Sequence, residues 1–133
     1  MRIIIAGGGE FGARLAEEFS SGNDVVVIEK DEARAERLGE TLSAIVMFGD
    51  AADKSILRHA STEKCDVFVA ATGDDKANSS ICELAKSLGA KKAVSRLNDP
   101  SNEGLYSGSG AVAINIMDSA IKEFKKAAGQ KSR

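Results

Sequence analysis

Six short apolar runs, separated by polar stretches whose apolar residues recur at helical spacing, set the pattern of the chain. Arg2 to Ala6 (RIIIA), Asp24 to Glu29 (DVVVIE), Ser43 to Phe48 (SAIVMF), Asp66 to Thr72 (DVFVAAT), Lys92 to Leu97 (KAVSRL) and Val112 to Ile116 (VAINI) read as strands. The first two are almost continuously apolar and β-branched, as strands covered on both faces are. Helices are expected between them. Gly12 to Ser21 buries Ala13, Leu15, Ala16 and Phe19, and Ser21-Gly22-Asn23 closes it. A second helix starts at the cap Asp31 and runs to about Leu42, with Leu38 and Leu42 inward. Asp53 caps a short third helix ending at His59 or Ala60. Lys76 to Leu88 buries Ile81, Leu84, Ala85 and Leu88, with Gly89 as its C′ residue. A weaker helix spans Ser101 to Ser107, and Asp118 caps a last one that ends near Ala127.

Strands alternating with helices, in a first unit of about 28 residues, predict an α/β chain with βαβ units and a parallel sheet. Right-handed crossovers make the expected fold a Rossmann-like, doubly wound parallel sheet of six strands in the order 3-2-1-4-5-6. Residues 1–128 form a single domain with a C-terminal helix on this reading, and 129–133 a disordered tail.

The first strand runs directly into Gly7-Gly8-Gly9-Glu10-Phe11-Gly12, a Gly-x-Gly-x-x-Gly turn opening a helix. In that context the motif predicts dinucleotide binding. Gly7 allows the tight turn, Gly9 lets a pyrophosphate approach the backbone, and Gly12 lets helix and strand pack closely. The helix N-terminus offers N–H groups and partial positive charge to phosphate. Glu29, 17 residues beyond Gly12 at the end of the second strand, can accept the ribose hydroxyls of an adenosine and repels a 2′-phosphate. Its bland alternative is a solvated strand-end charge. Lys30 or Asp31 flanks the adenine. Asp50 either lies near the adenine edge or makes an Asx-turn. Thr72-Gly73 is expected beside the pyrophosphate or second nucleoside. Arg96, Leu97 and Asn98 end the fifth strand on the same side of the sheet.

Composition narrows the function. The 133 residues carry a net charge of −2, five Phe, one Tyr and no Trp. With no basic stripe and few stacking rings, no nucleic-acid partner is expected. No charged-then-apolar leader precedes the first strand, and the apolar runs are too short to insert in a membrane, so a cytoplasmic domain is expected. Cys65 and Cys82 read as free thiols that pack. His59 reads as a surface helix residue with no metal-ligand spacing around it. Ser79 and Ser80 lack a nucleophile elbow. Asp74-Asp75 reads most simply as a helix cap.

Four pieces in order carry a family resemblance: MRIIIAGGGEFG; VVVIEKDEARAERL; VMFGDAADKSILRHA; and DVFVAATGDDKANSSICELAKSLGAKK. Together they resemble the RCK/KTN family, in particular the N-terminal nucleotide-binding (TrkA-N) domain of Trk-type potassium-uptake regulators, over residues 1 to about 125. The Gly-Asp-Ala segment and the Ala-x-Thr-Gly-Asp-Asp with Asn78 are its more specific parts.

The resemblance implies NAD or NADH, or else ATP, ADP or AMP, bound across Gly7, Gly9, Gly12, Glu29, Asp50 and Thr72; Glu10, Phe11, Lys30, Ala51, Gly73, Asp74, Asn78 and Arg96 complete the candidate site. It implies a sensor rather than an enzyme, in homo-oligomers (dimers or rings) on a membrane-embedded potassium channel or transporter, at the inner face of the membrane. The last helix would carry the change across a dimer. Three departures stand out. Ile116-Met117 replaces a frequent proline. Glu10 occupies a turn position that is often basic in ATP-binding members, which favours NAD. The smaller C-terminal domain of full-length regulators has no counterpart. An NAD-dependent oxidoreductase of the same fold is the competing reading, with Arg96, Asp74 and His59 as its only acid/base candidates. A structural assembly domain is a third.

Overall fold

In the computed structural model, which describes residues 1–131, six parallel strands form one sheet in the order β3-β2-β1-β4-β5-β6. The strands are β1 (Arg2–Ala6), β2 (Asp24–Glu29), β3 (Ile45–Phe48), β4 (Val67–Ala70), β5 (Lys92–Leu97) and β6 (Val112–Asn115). Five α-helices connect or follow them: α1 (Glu10–Phe19), α2 (Glu32–Thr41), α3 (Lys54–His59), α4 (Asp75–Ser87) and α5 (Ile116–Ala127). The fold is the Rossmann-like one expected, and its strand order reverses between β1 and β4.

Register explains why β1 reads as uninterrupted Ile. It pairs with β2 on one side (Ile4 with Val26) and β4 on the other (Ile4 with Phe68). Ile3 and Ile5 enter a core with Val25, Val27, Val69 and Ala16 of α1, with Leu15, Phe19 and Leu42 packed against it. Ile4 and Ala6 enter the opposite core with Ile28, Phe68, Leu57 of α3, and Ile81 and Cys82 of α4. Both faces of a central strand are thus buried, each Ile contributing about 1.5–3 kcal/mol.

Several boundaries differ from the sequence reading. α1 begins at Glu10, so Gly12 lies inside the helix rather than at its start. β3 begins at Ile45 and β4 ends at Ala70, which leaves Ala71 and Thr72 as the wall of a turn. The segment expected as a weak helix is a 3₁₀ helix over Pro100–Tyr106, and a second 3₁₀ turn occupies Thr62–Lys64. The cap of α5 is Asn115, whose side chain accepts from the Asp118 N–H at 3.0 Å, and not Asp118. β6 runs into α5 with no loop, so the last strand residue itself takes the cap position. Of the expected tail, Gln130 N–H still donates to Lys125 O at 2.9 Å, while residues 132–133 lie outside the described residues.

Candidate functional site

The turn from β1 into α1 is built around two backbone needs. Gly7 adopts φ +106°, a left-handed conformation open chiefly to glycine, and its N–H donates to Ile28 O at 2.9 Å. Gly12 faces the Gly7 carbonyl so closely that a Cβ there would overlap the Gly7 oxygen. Gly9 differs from both: a Cβ on it would meet nothing within 4 Å. Its missing side chain leaves open space rather than relieving a protein contact.

The start of α1 is also electrostatically open. Asp31, Asp53, Asp74 and Asn115 cap α2, α3, α4 and α5 with side-chain oxygens. α1 has Gly9 at its N-cap and no side-chain cap, which leaves its first N–H groups to an external acceptor.

Glu29 ends β2 beside this turn and is only 4% exposed. Its Oε1 accepts from Gly8 N–H at 2.8 Å and its Oε2 from Asp31 N–H at 2.7 Å. Arg34, on the first turn of α2, approaches Oε1 at 3.4 Å. The carboxylate is therefore fixed by the glycine turn itself, and the solvated-charge alternative fails. Asp50 Oδ1 accepts from Ala52 N–H at 2.9 Å, so Asp50 does form an Asx-turn.

On the far side of the switch point, Thr72 and Arg96 stand at the ends of β4 and β5. Arg96 Nε is buried without a hydrogen-bond partner among the described residues. The guanidinium carbon lies 4.9 Å from the centroid of Phe11 on α1, a cation–π contact across the switch point.

A cleft of about 490 Å³ lies at the carboxyl ends of the strands, between the glycine turn and Arg96. Of the residues predicted from the sequence, Gly7, Gly9, Glu29, Lys30, Asp50, Ala51, Thr72, Gly73, Asp74 and Arg96 line it. Four do not. Gly12 is behind the turn, Glu10 and Phe11 are exposed on the first turn of α1, and Asn78 is fully buried behind Thr72. Asn78 donates to Thr72 O and Arg96 O, each at 3.0 Å, and so ties β4 to β5.

Arg34 lines the cleft and was missed, although its place one turn into α2 after Glu29 is a readable signal. Asp74 alone caps α4, and Asp75, expected as half of that cap, turns elsewhere. It is 5% exposed and accepts four hydrogen bonds from the loop after β5. Burial alone would raise its carboxyl, but the bonds from Asn102, Asn98 and Asp99 outweigh burial and hold it below 3.8. His59 is exposed at the end of α3, and no cluster of His, Cys, Asp and Glu among the described residues could hold a metal. Cys65 and Cys82 are free and buried.

Residues 3–117 match the TrkA-N domain, most of the chain. The chain belongs to the TrkA-N domain family. It is 44% identical over 100 residues to a Trk system potassium uptake protein TrkA homolog from Archaeoglobus fulgidus, covering 75% of this chain and 23% of that protein. It is 35% identical over 130 residues to the homolog from Methanothermobacter thermautotrophicus, covering 97% of this chain and 57% of that one. The chain thus spans well under two thirds of these relatives. Among solved structures, the TrkA-N domain of the Escherichia coli inner membrane protein ybaL superposes with a TM-score of 0.85 at 19% identity, covering 95% of both chains. The GsuK channel bound to NAD gives 0.77 at 21% identity, over 85% of this chain and 21% of that one. The AMP-bound Kef C-terminal domain of Shewanella denitrificans gives 0.74 at 24% identity, over 97% of this chain and 80% of that one. These likenesses, each under 25% identity, show a shared fold. No helix among the described residues of this TrkA-N chain is long and apolar enough to cross a membrane.

Proposed function

We propose that this TrkA-N chain is a nucleotide-sensing regulatory module for a potassium channel or transporter, and that its ligand is NAD or NADH. The observation that carries the reading is the open N-terminus of α1 at a glycine turn, with Arg96 Nε, unpaired among the described residues, in the same cleft. Free backbone N–H groups and a guanidinium are the donors a pyrophosphate requires. On this reading Gly7 and Gly9 give the phosphates room, the N–H groups of Glu10 and Phe11 at the open start of α1 donate to them, and Gly12 serves by keeping α1 close against the turn. Glu29 accepts a ribose hydroxyl at Oε2, which among the described residues is bonded to Asp31 N–H alone. Lys30, Asp50 and Ala51 border the adenine, and Thr72, Gly73 and Asp74 border the second nucleoside. Phe11 and Asn78 act indirectly, by holding Arg96 and Thr72. ATP, ADP or AMP would use the same adenosine half. Glu10 places a negative charge in the first turn of α1, which opposes a long polyphosphate there.

Sensing requires a second arrangement with a different affinity for the ligand. The exposed stripe Met117, Ile121 and Phe124 on α5, at 58%, 46% and 78% exposure, supports a homodimer through which such a change could pass. The module would then sit at the inner face of the membrane through its transport partner.

Calorimetric titration with NAD, NADH, NADP, ATP, ADP and AMP tests the ligand. Binding of NAD or NADH with a dissociation constant below about 1 mM is expected, with NADP weaker. NADP as the tightest ligand would remove the role given to Glu29.

A further inference from the structure

α4 opens with two aspartates that do different work. Asp74 is exposed and caps the helix, accepting from Lys76 N–H at 3.1 Å and Ala77 N–H at 3.2 Å. Asp75, one residue on, turns inward to the loop that follows β5. Its Oδ1 accepts from Asn98 N–H at 2.7 Å and Asn98 Nδ2 at 2.9 Å. Its Oδ2 accepts from Asp99 N–H and Asn102 Nδ2, both at 2.9 Å. Every acceptor position of the carboxylate is therefore used.

The bracket continues into the cleft wall. Asn98 Nδ2 also donates to Thr72 O at 3.2 Å, and Asn78 donates to Thr72 O and Arg96 O. The ends of β4 and β5, the start of α4 and the following 3₁₀ helix are thus cross-linked into one body. Thr72, Gly73, Asp74 and Arg96 of that body line the cleft, while Asp75, Asn98 and Asn102 do not. The adenosine half, with Glu29, Lys30, Asp50 and Ala51, hangs on β2 and β3 and takes no bond from Asp75.

We infer that Asp75 is the positioning residue of the second half of the nucleotide site, and that it sets how strongly the site prefers a dinucleotide to a mononucleotide. The inference rests on the nucleotide reading above. A ligand ending at its first phosphate uses the Glu29 half and the start of α1. A dinucleotide also needs Thr72 and Arg96 held in place, and a preorganised wall spares it the cost of ordering those groups.

NAD and AMP titrated separately into wild type, Asp75→Asn and Asn102→Ala test this. An amide at position 75 presents an N–H group to donors on one side, so half the bracket opens. NAD affinity is expected to fall about tenfold in Asp75→Asn, the worth of one charge-assisted contact, while AMP affinity changes less than about twofold. Asn102→Ala removes one bond outside the cleft and is expected to move the NAD-to-AMP ratio the same way by a smaller factor. If Asp75→Asn does not fold, Asn102→Ala carries the comparison. A purely structural role lowers the bound fraction of both ligands together and leaves the ratio fixed, which would overturn the inference. Wild type that binds neither ligand would instead remove the nucleotide reading, and this inference with it.

Discussion

Two glycines in one turn should respond to alanine in opposite ways. At Gly12 a new Cβ overlaps the Gly7 carbonyl oxygen and comes within 3.0 Å of the Gly7 carbonyl carbon, where ordinary contact begins at 3.4 Å. Neither atom belongs to a flexible side chain. Gly7 is held by its bond to Ile28 O at 2.9 Å, so α1 must lift off β1. Forced overpacking of this kind costs about 1–3 kcal/mol. At Gly9 the Cβ meets nothing within 4 Å, and the backbone, at φ −67° and ψ −175°, suits alanine. Stability should therefore change by less than about 0.5 kcal/mol. The methyl group instead fills the space through which phosphate reaches the α1 N–H groups, and NAD affinity should drop at least about tenfold. Urea unfolding gives the first quantity and calorimetry the second. Gly9→Ala binding NAD as wild type does, or Gly12→Ala as stable as wild type, would refute the argument.

Glu29→Gln replaces one acceptor oxygen with an N–H group facing Gly8 N–H or Asp31 N–H, so it should cost about 1–3 kcal/mol in chemical unfolding. Burial pushes the Cys82 thiol from 9.0 up to about 11, against opposing bonds from Ser95 and Ala70. The folded state thus keeps its proton where the unfolded chain has lost it. This contribution is complete below pH 9 and fades towards pH 11, a loss of roughly 2–3 kcal/mol by linkage that Cys82→Ala should lack when unfolding is followed against pH. Phe124→Asp should shift sedimentation from dimer to monomer without changing NAD affinity in the monomer by more than about twofold; an unaltered dimer would remove α5 from the interface.

The inner strands were legible because each carries its own burial record. Ile3-Ile4-Ile5 can be uninterrupted only if both faces are covered, and the glycine turn fixes where the first crossover begins. Glu29 was legible by spacing from Gly12. Its attachment to Gly8 N–H was not, because that bond depends on how α1 leaves the strand. Asp75 reads as half of a capping pair until the loop after β5 closes on it, since its partners lie 23 to 27 residues further on. Asn78 was placed in the site by family resemblance, and the buried position behind Thr72 gives that motif residue a physical role: it joins two strand ends. The cap of α5 was misread because Asn115 and Asp118 are both cap residues, and only the absence of a loop after β6 decides between them.

The most direct test of the central claim is the amide spectrum of the ¹⁵N-labelled chain during titration with NAD. A nucleotide held across the switch point should move the backbone amides of Gly9, Glu10 and Phe11 together with those of Gly73 and Arg96, along one saturating curve. Shifts confined to a single half of the cleft, or none at NAD concentrations of about 1 mM, would contradict it.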